Sequence, residues 1–148
     1  MNLKRAIEIA VQAHKGQVDK AGQPYILHPL RVMMNVHSDN AKIVAVLHDV
    51  IEDSNLTLAD LIIEEFSLDI VDALRLLTKR RYDKYFDYIH NIKDSKNNLA
   101  ILVKLADLED NMDMSRLKET TEQDEKRYKK YLDAKCILMD CKMNVCES

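Results

Sequence analysis

Two glycines and two prolines serve the whole of this 148-residue chain. A sheet-rich fold needs a turn signal roughly every 8–12 residues, so a chain this poor in turn-formers is directed towards helices. Apolar residues recur at helical spacing along almost its entire length, and the few interruptions fall where Gly, Pro, Asn and Ser gather. The expected fold class is all-α, a bundle of about seven or eight helices around one core, at a length that suits one domain over residues 1–148.

Twenty-two basic side chains stand against 25 acidic ones, a net charge of −3. That is the wrong sign for a protein whose main partner is a polyphosphate backbone, so nucleic acid is not expected as the principal ligand. No apolar run approaches the roughly 18 residues that span a bilayer, and the opening MNLKRAIEIAVQAHKGQ is amphipathic rather than a charged region followed by an apolar block. The expected setting is cytoplasmic, with no membrane partner. Cys136, Cys141 and Cys146 crowd into the last helical stretch at a spacing that suits no zinc site, and they are read as thiols without chemistry.

The pattern predicts a first helix over Asn2 to His14, closed at Gly16, and a loop over Gln17 to Leu27. Pro29 suits the first turn of the next helix. Asn40 is the expected cap of a third, AKIVAVLHDVIED, whose front half is apolar on every side and must be buried. Thr57 and Asp60 form a capping-box-like start to LADLIIEEF. Further helices are expected over Leu68 to Leu77, Tyr82 to Lys93, Leu99 to Met112, and Glu122 to about Val145.

Ionisable groups inside the most apolar helices are the informative positions. In AVLHDVIED, His48 and Asp49 follow Ala45-Val46-Leu47, and Glu52 and Asp53 follow Val50-Ile51. The pairs His48/Glu52 and Asp49/Asp53 are each four apart, so each pair shares a helix face. Asp107 in ILVKLADLEDN occupies a position that the periodicity would give to the core. A buried carboxylate either stays neutral or finds a cation, and one shared divalent metal accounts for several of them at once. His28, in PYILHPL, is a further candidate ligand. Two imidazoles with carboxylates suit Mn²⁺, Fe²⁺ or Zn²⁺, and the share of oxygen tilts the choice to Mn²⁺. His14, His37 and His90 lack such acidic neighbours and are read as structural or surface residues.

At these residues the chain resembles the HD-domain metal-dependent phosphohydrolases, and within them the hydrolase domain of RelA/SpoT-type alarmone enzymes and its small stand-alone relatives. The matching stretches are AHKGQVDKAGQPYILHPLRV, VAVLHDVIEDSNLTLADL and VKLADLEDNMDMSRL. The resemblance implies that His28, His48, Asp49 and Asp107 are metal ligands, and that Glu52 and Asp53 are the acidic pair near the attacking water. Lys20, Tyr25 and Asn111 fall on motif positions that line the substrate pocket. It also implies hydrolysis of the 3′-pyrophosphate of guanosine tetra- or pentaphosphate, commonly with manganese. This chain departs from the pattern in reading Asp19-Lys20 where relatives carry Arg-Lys, whose arginine helps hold the purine base, and in having Leu108-Glu109-Asp110 after the LAD; no synthetase or regulatory domain is expected with it.

Such a metal would activate water and draw charge from a phosphate oxygen, with Glu52 or Asp53 as general base. Lys104, three positions before Asp107, and the cluster Lys79-Arg80-Arg81 are candidate phosphate contacts, although each also suits a solvated surface. Tyr82, Tyr85 and Tyr88 are expected on one helix face, partly in the core. Three readings follow. The first is a manganese-dependent pyrophosphohydrolase of a guanosine polyphosphate, the second an HD phosphohydrolase of another nucleotide, and the third a metal-stabilised interaction module with a vestigial site. Small proteins of this family often associate, and the last helix suits a homo-oligomer interface as well as it suits the core.

Overall fold

The structure is a computed structural model that describes residues 2–140. Its helices are α1 (Leu3–Ala13), α2 (Leu27–Met34), α3 (Asp39–Leu47), α4 (Val50–Asp53), α5 (Leu58–Ile63), α6 (Leu68–Leu77), α7 (Tyr85–Ser95), α8 (Asn98–Met112) and α9 (Glu122–Leu138). Among the described residues the one β-type pairing is an isolated bridge between Val18 and Pro24, so the all-α expectation matches the fold. No helix among those residues is long and apolar enough to cross a membrane.

A helix apolar on all sides is stable only when other elements surround it. α3 is that element: Ala41, Ile43, Val44, Ala45, Val46 and Leu47 are all buried, and α1, α2, α6 and α8 pack around it. Each fully buried Val or Leu contributes roughly 1.5–3 kcal/mol of apolar burial, which fixes α3 as the axis from which the site is built. α8 lies against α3 on one side and α9 on the other, and α9 also covers α7.

Several helix boundaries differ from the sequence expectation for local reasons. Ser38 caps α3 in place of Asn40, its hydroxyl accepting the Ala41 N–H at 3.1 Å. This start brings Asp39 into the first turn, where the helix dipole favours an acid. α5 stops at Ile63 because Glu65 turns left-handed at φ 68°, letting Phe66 N–H reach the Leu61 carbonyl at 3.2 Å and burying the Phe66 ring. α7 starts at Tyr85 instead of Tyr82, since Asp83 accepts the Arg80 N–H at 3.0 Å in a separate turn. Tyr82 is accordingly exposed, while Tyr88 is buried. α9 ends at Leu138, short of the expected Val145, with Asp140 left-handed at φ 55°. Residues beyond 140, including Cys141 and Cys146, lie outside the described residues. Cys136 is half-buried on α9, whose Ala134 and Leu138 belong to the core.

The largest difference is in AKIVAVLHDVIED, where one expected helix is two. The His48 Nδ1 lies 2.5 Å from the Ala45 carbonyl, the group that would accept the Asp49 N–H in a continuous helix. The backbone breaks at His48-Asp49 and resumes as the single turn α4.

Candidate metal centre and cleft

The histidines and carboxylates come from three places in the bundle. His28 sits in the first turn of α2, where Pro29 loses no helical hydrogen bond. His48 and Asp49 occupy the α3–α4 break, and Asp107 lies on the inward face of α8. His28, His48 and Asp107 are buried, and Asp49 is half-buried.

These four side chains converge. His28 Nε2 is 2.9 Å from Asp107 Oδ1 and 3.6 Å from Asp49 Oδ2, and His48 Nε2 is 3.2 and 3.1 Å from the same two oxygens. The two imidazole centroids are 5.2 Å apart. One ligand atom each from His28, His48 and Asp49 falls within 4.8 Å of the others, a spacing that can hold a metal ion. Ligands bonded at about 2.0–2.2 Å to one ion stand roughly 3.0–3.4 Å from each other in octahedral or tetrahedral geometry, close to the separations found here.

The donor set fits a cation chemically as well. His48 Nδ1 faces the Ala45 carbonyl at 2.5 Å, and His28 Nδ1 faces Asp110 Oδ2 at 2.6 Å. An acceptor at each Nδ1 fixes the N–H there and turns the Nε2 lone pair to the centre, where two carboxylate oxygens already point. Four acceptors in one small volume need either protons or a shared cation between them. Without a cation, protons serve. Burial lowers the His28 pKa, but hydrogen bonds to Asp107 and Asp110 outweigh it and lift His28 to about 9. Burial likewise opposes charge on His48, yet Asp49 and Asp107 hold it well above its ordinary value. Burial pushes Asp49 up, but His48 beside it brings it down to about 2. Asp107 is held well below the carboxylate range, because Lys104 and His48 overcome the cost of burying it.

The centre opens on a cleft of about 530 Å³. Glu52 lines it, and its carboxylate accepts the Lys79 backbone N–H. Although Glu52 is open to solvent on one side, the enclosing walls push its carboxyl up to about 7. Asp53 is exposed and is not part of the cleft wall, and its backbone carbonyl receives the Gln17 amide at 2.8 Å. Adjacent residues of one helical turn point about 100° apart, so Glu52 and Asp53 on α4 face different surroundings.

The other residues singled out from sequence divide between supporting the centre and lining the cleft. Tyr25 Oη donates to Asp49 Oδ2 at 2.6 Å, and burial with that carboxylate pushes the phenol far above its ordinary range. Asn111 Nδ2 donates to Asp107 Oδ1 at 3.0 Å. Lys104 is buried, its Nζ 2.8 Å from Asp107 Oδ2 and 5.1 Å from the Tyr88 ring centroid. Lys20 faces the cleft from the 17–25 hairpin, its ammonium pulled down by partial burial and by Arg127. Of the cluster after Thr78, Lys79 lines the cleft, whereas Arg80 pairs with Asp83 and Arg81 is exposed. His37 and His90 are exposed, and His14 is buried beside Tyr25.

Sequence reasoning missed two parts of this wall. Asp110, which the sequence marks only as part of the Leu108-Glu109-Asp110 departure, is buried and joins His28 to Arg31. Its place three residues after Asp107, on the same helix face, is the signal that finds it. Arg127, Tyr128 and Tyr131 on α9 form the far wall. Their near-helical spacing gives one face of α9, but only the packing of α9 on α8 brings that face to the centre.

No family model matches the chain. It is 32% identical over 127 residues, 73% of its length, to a guanosine-3′,5′-bis(diphosphate) 3′-pyrophosphohydrolase of Borreliella burgdorferi, of which it covers 18%. It is 35% identical over 117 residues, 70% of its length, to the enzyme of the same name from Haemophilus influenzae, of which it covers 17%. The chain therefore spans less than a fifth of these curated relatives. A solved structure of a metazoan SpoT orthologue reported to hydrolyse ppGpp matches 92% of this chain and 84% of its own, with a TM-score of 0.76 at 23% identity, a likeness of fold. The chain is therefore similar in sequence to a part of curated guanosine-3′,5′-bis(diphosphate) 3′-pyrophosphohydrolases and in fold to the metazoan SpoT orthologue.

Proposed function

We propose that this chain is a metal-dependent phosphohydrolase that removes the 3′-pyrophosphate of guanosine tetra- or pentaphosphate. The observation that carries the reading is the convergence of His28, His48, Asp49 and Asp107 beside Glu52 in one cleft that Lys20 and Lys79 also line. The names of the relatives supply the substrate. The metal is proposed as Mn²⁺ from the mix of two imidazoles and two carboxylates, with Fe²⁺ or Zn²⁺ as the other fits. An ion held by these four residues would supply Lewis acidity to a phosphate oxygen and to the nucleophilic water.

The chain's own residues account for the remaining steps. Glu52, with its carboxyl near 7, takes the proton of the water that attacks phosphorus and passes it to the departing 3′ oxygen. Its neighbour Asp53, outside the cleft wall, is assigned no contact with the reacting atoms. Lys20, Lys79, Lys104 and Arg127 line the cleft and screen the charge that the phosphates bring together. Tyr25 and Asn111 hold the carboxylates of Asp49 and Asp107 in place.

One observation favours a second reading, hydrolysis of another nucleotide. Asp19 stands at the position where the resemblance expects a base-holding arginine, and its Oδ1 accepts the N–H groups of Ala21 and Gln23 at 2.9 Å each. The lip of the cleft there is acidic and turned into its own hairpin. The discriminating assay offers the protein and Mn²⁺ a panel of nucleotides that includes guanosine tetraphosphate, following pyrophosphate and orthophosphate separately. Pyrophosphate from the tetraphosphate supports the first reading, and orthophosphate from another nucleotide supports the second. Equal silence from wild type and Asp49→Ala leaves a vestigial site and overturns both.

A further inference from the structure

We propose that Asp110 is the positioning residue for His28 and that Arg31 locks it in that role; this rests on the metal-centre reading above. Asp110 Oδ2 lies 2.6 Å from His28 Nδ1, across 82 positions of sequence. It cannot also serve as a ligand, because the His28 ring stands between it and the convergence point: Nδ1 faces Asp110 while Nε2 faces Asp107. Its other contacts leave it no freedom to turn. Arg31 grips both oxygens, Nε to Oδ1 at 2.8 Å and Nη2 to Oδ2 at 3.1 Å, a planar fork that matches the two oxygens of a carboxylate. Arg116 Nη2 donates to the Asp110 backbone carbonyl at 3.0 Å, pinning the same turn of α8.

The physical need is specific. An imidazole offers an ion one lone pair, and either nitrogen can carry it; an acceptor fixed at Nδ1 keeps the N–H there and leaves Nε2 for the ion. At His48 a backbone carbonyl does this work, whereas at His28 a charged side chain does. A carboxylate partner orients the ring and makes Nε2 the stronger donor. The two imidazoles are therefore held by different devices, and only the one at His28 can be removed by substitution.

The test is Mn²⁺ affinity of purified wild type, Asp110→Asn, Arg31→Met and, as a neighbouring control, Glu109→Gln. Isothermal titration is paired with the melting temperature of each metal-free protein. Asp110→Asn is expected to bind roughly 10–100-fold more weakly, Arg31→Met roughly 3–10-fold, and Glu109→Gln like wild type. In the Zn²⁺-loaded proteins, two-bond ¹⁵N–¹H spectra should place a hydrogen-bonded proton on His28 Nδ1 of wild type and shift or lose it in Asp110→Asn. A folded Asp110→Asn that binds Mn²⁺ within twofold of wild type overturns the proposal. Should that variant not fold, Arg31→Met decides, and wild-type affinity there overturns it. If wild type itself takes up no Mn²⁺, the proposed function falls along with this inference; if wild type binds and Asp110→Asn binds equally, this inference alone falls.

Discussion

The His48 imidazole takes the Ala45 carbonyl at 2.5 Å, and α3 ends at that point. The ladder is interrupted there, while His48 and Asp49 both keep right-handed helical backbone angles. Across this point His48 Nε2 and Asp49 Oδ2 lie 3.1 Å apart. The same contact fixes the ring nitrogen that faces the centre, so one hydrogen bond both shapes the backbone and prepares the ligand.

Metal binding should release protons. In the metal-free protein the His28 pKa is lifted to about 9 by Asp107 and Asp110 against the effect of burial, and His48 is also raised. The raised values favour protons on both rings, and an ion must displace them. Mn²⁺ affinity is therefore expected to rise with pH between about 6 and 9, with proton release visible by calorimetry in buffers of different ionisation enthalpy. A raised folded-state pKa stabilises fully below the ordinary value of 6.5 and loses that contribution as pH climbs through about 9. The chelated protein should accordingly melt lower at pH 9.5 than at pH 6.5, by a margin the loaded protein does not share.

Glu52 and Asp53 should separate sharply in kinetics. Glu52→Gln is expected to lower kcat by roughly 10²–10⁴-fold with Mn²⁺ affinity unchanged. Asp53→Asn, which alters a side chain outside the cleft wall, should stay within about threefold of wild type, a change of under 1 kcal/mol in the barrier. Steady-state rates on whichever nucleotide the panel identifies check both. Equal losses in the two variants would contradict the division of roles.

Lys104→Met removes the cation 2.8 Å from Asp107 Oδ2. Breaking a buried ion pair strands the remaining charge, and a loss of about 3 kcal/mol is expected for the metal-free protein in urea unfolding. With Mn²⁺ bound, the ion supplies the missing positive charge, so the loss should shrink to about 1 kcal/mol. A loss of the same size in both forms would separate Lys104 from the centre.

Much of this was legible in the chain because burial conflicts with charge. His48, Asp49 and Asp107 stand out in sequence as ionisable residues in helices too apolar to be exposed, and the helices themselves follow from spacing. What stayed hidden depends on tertiary packing. The α3–α4 break comes from a side chain competing for a backbone carbonyl, which periodicity does not register. Asp110 looks like surface beside Glu109, and only the approach of α2 to α8 gives it His28 and Arg31. Arg127 and Tyr131 sit on a helix whose sequence suits an interface as well as the core, and only its docking turns them to the cleft. Tyr82 was misplaced because the Arg80–Asp83 turn delays the start of α7.

Lys96 offers a test of the backbone alone. It closes α7 in the left-handed region at φ 57°, where a β-carbon costs about 1 kcal/mol and glycine pays nothing. Lys96→Gly should raise stability by roughly 0.5–1 kcal/mol in denaturant titration, and a loss of stability would contradict the assignment.

The most direct measurement is anomalous diffraction from crystals of the protein grown with Mn²⁺. One strong peak is expected within about 2.0–2.3 Å of His28 Nε2, His48 Nε2, Asp49 Oδ2 and Asp107 Oδ1. A peak elsewhere, or none at saturating Mn²⁺, would contradict the account.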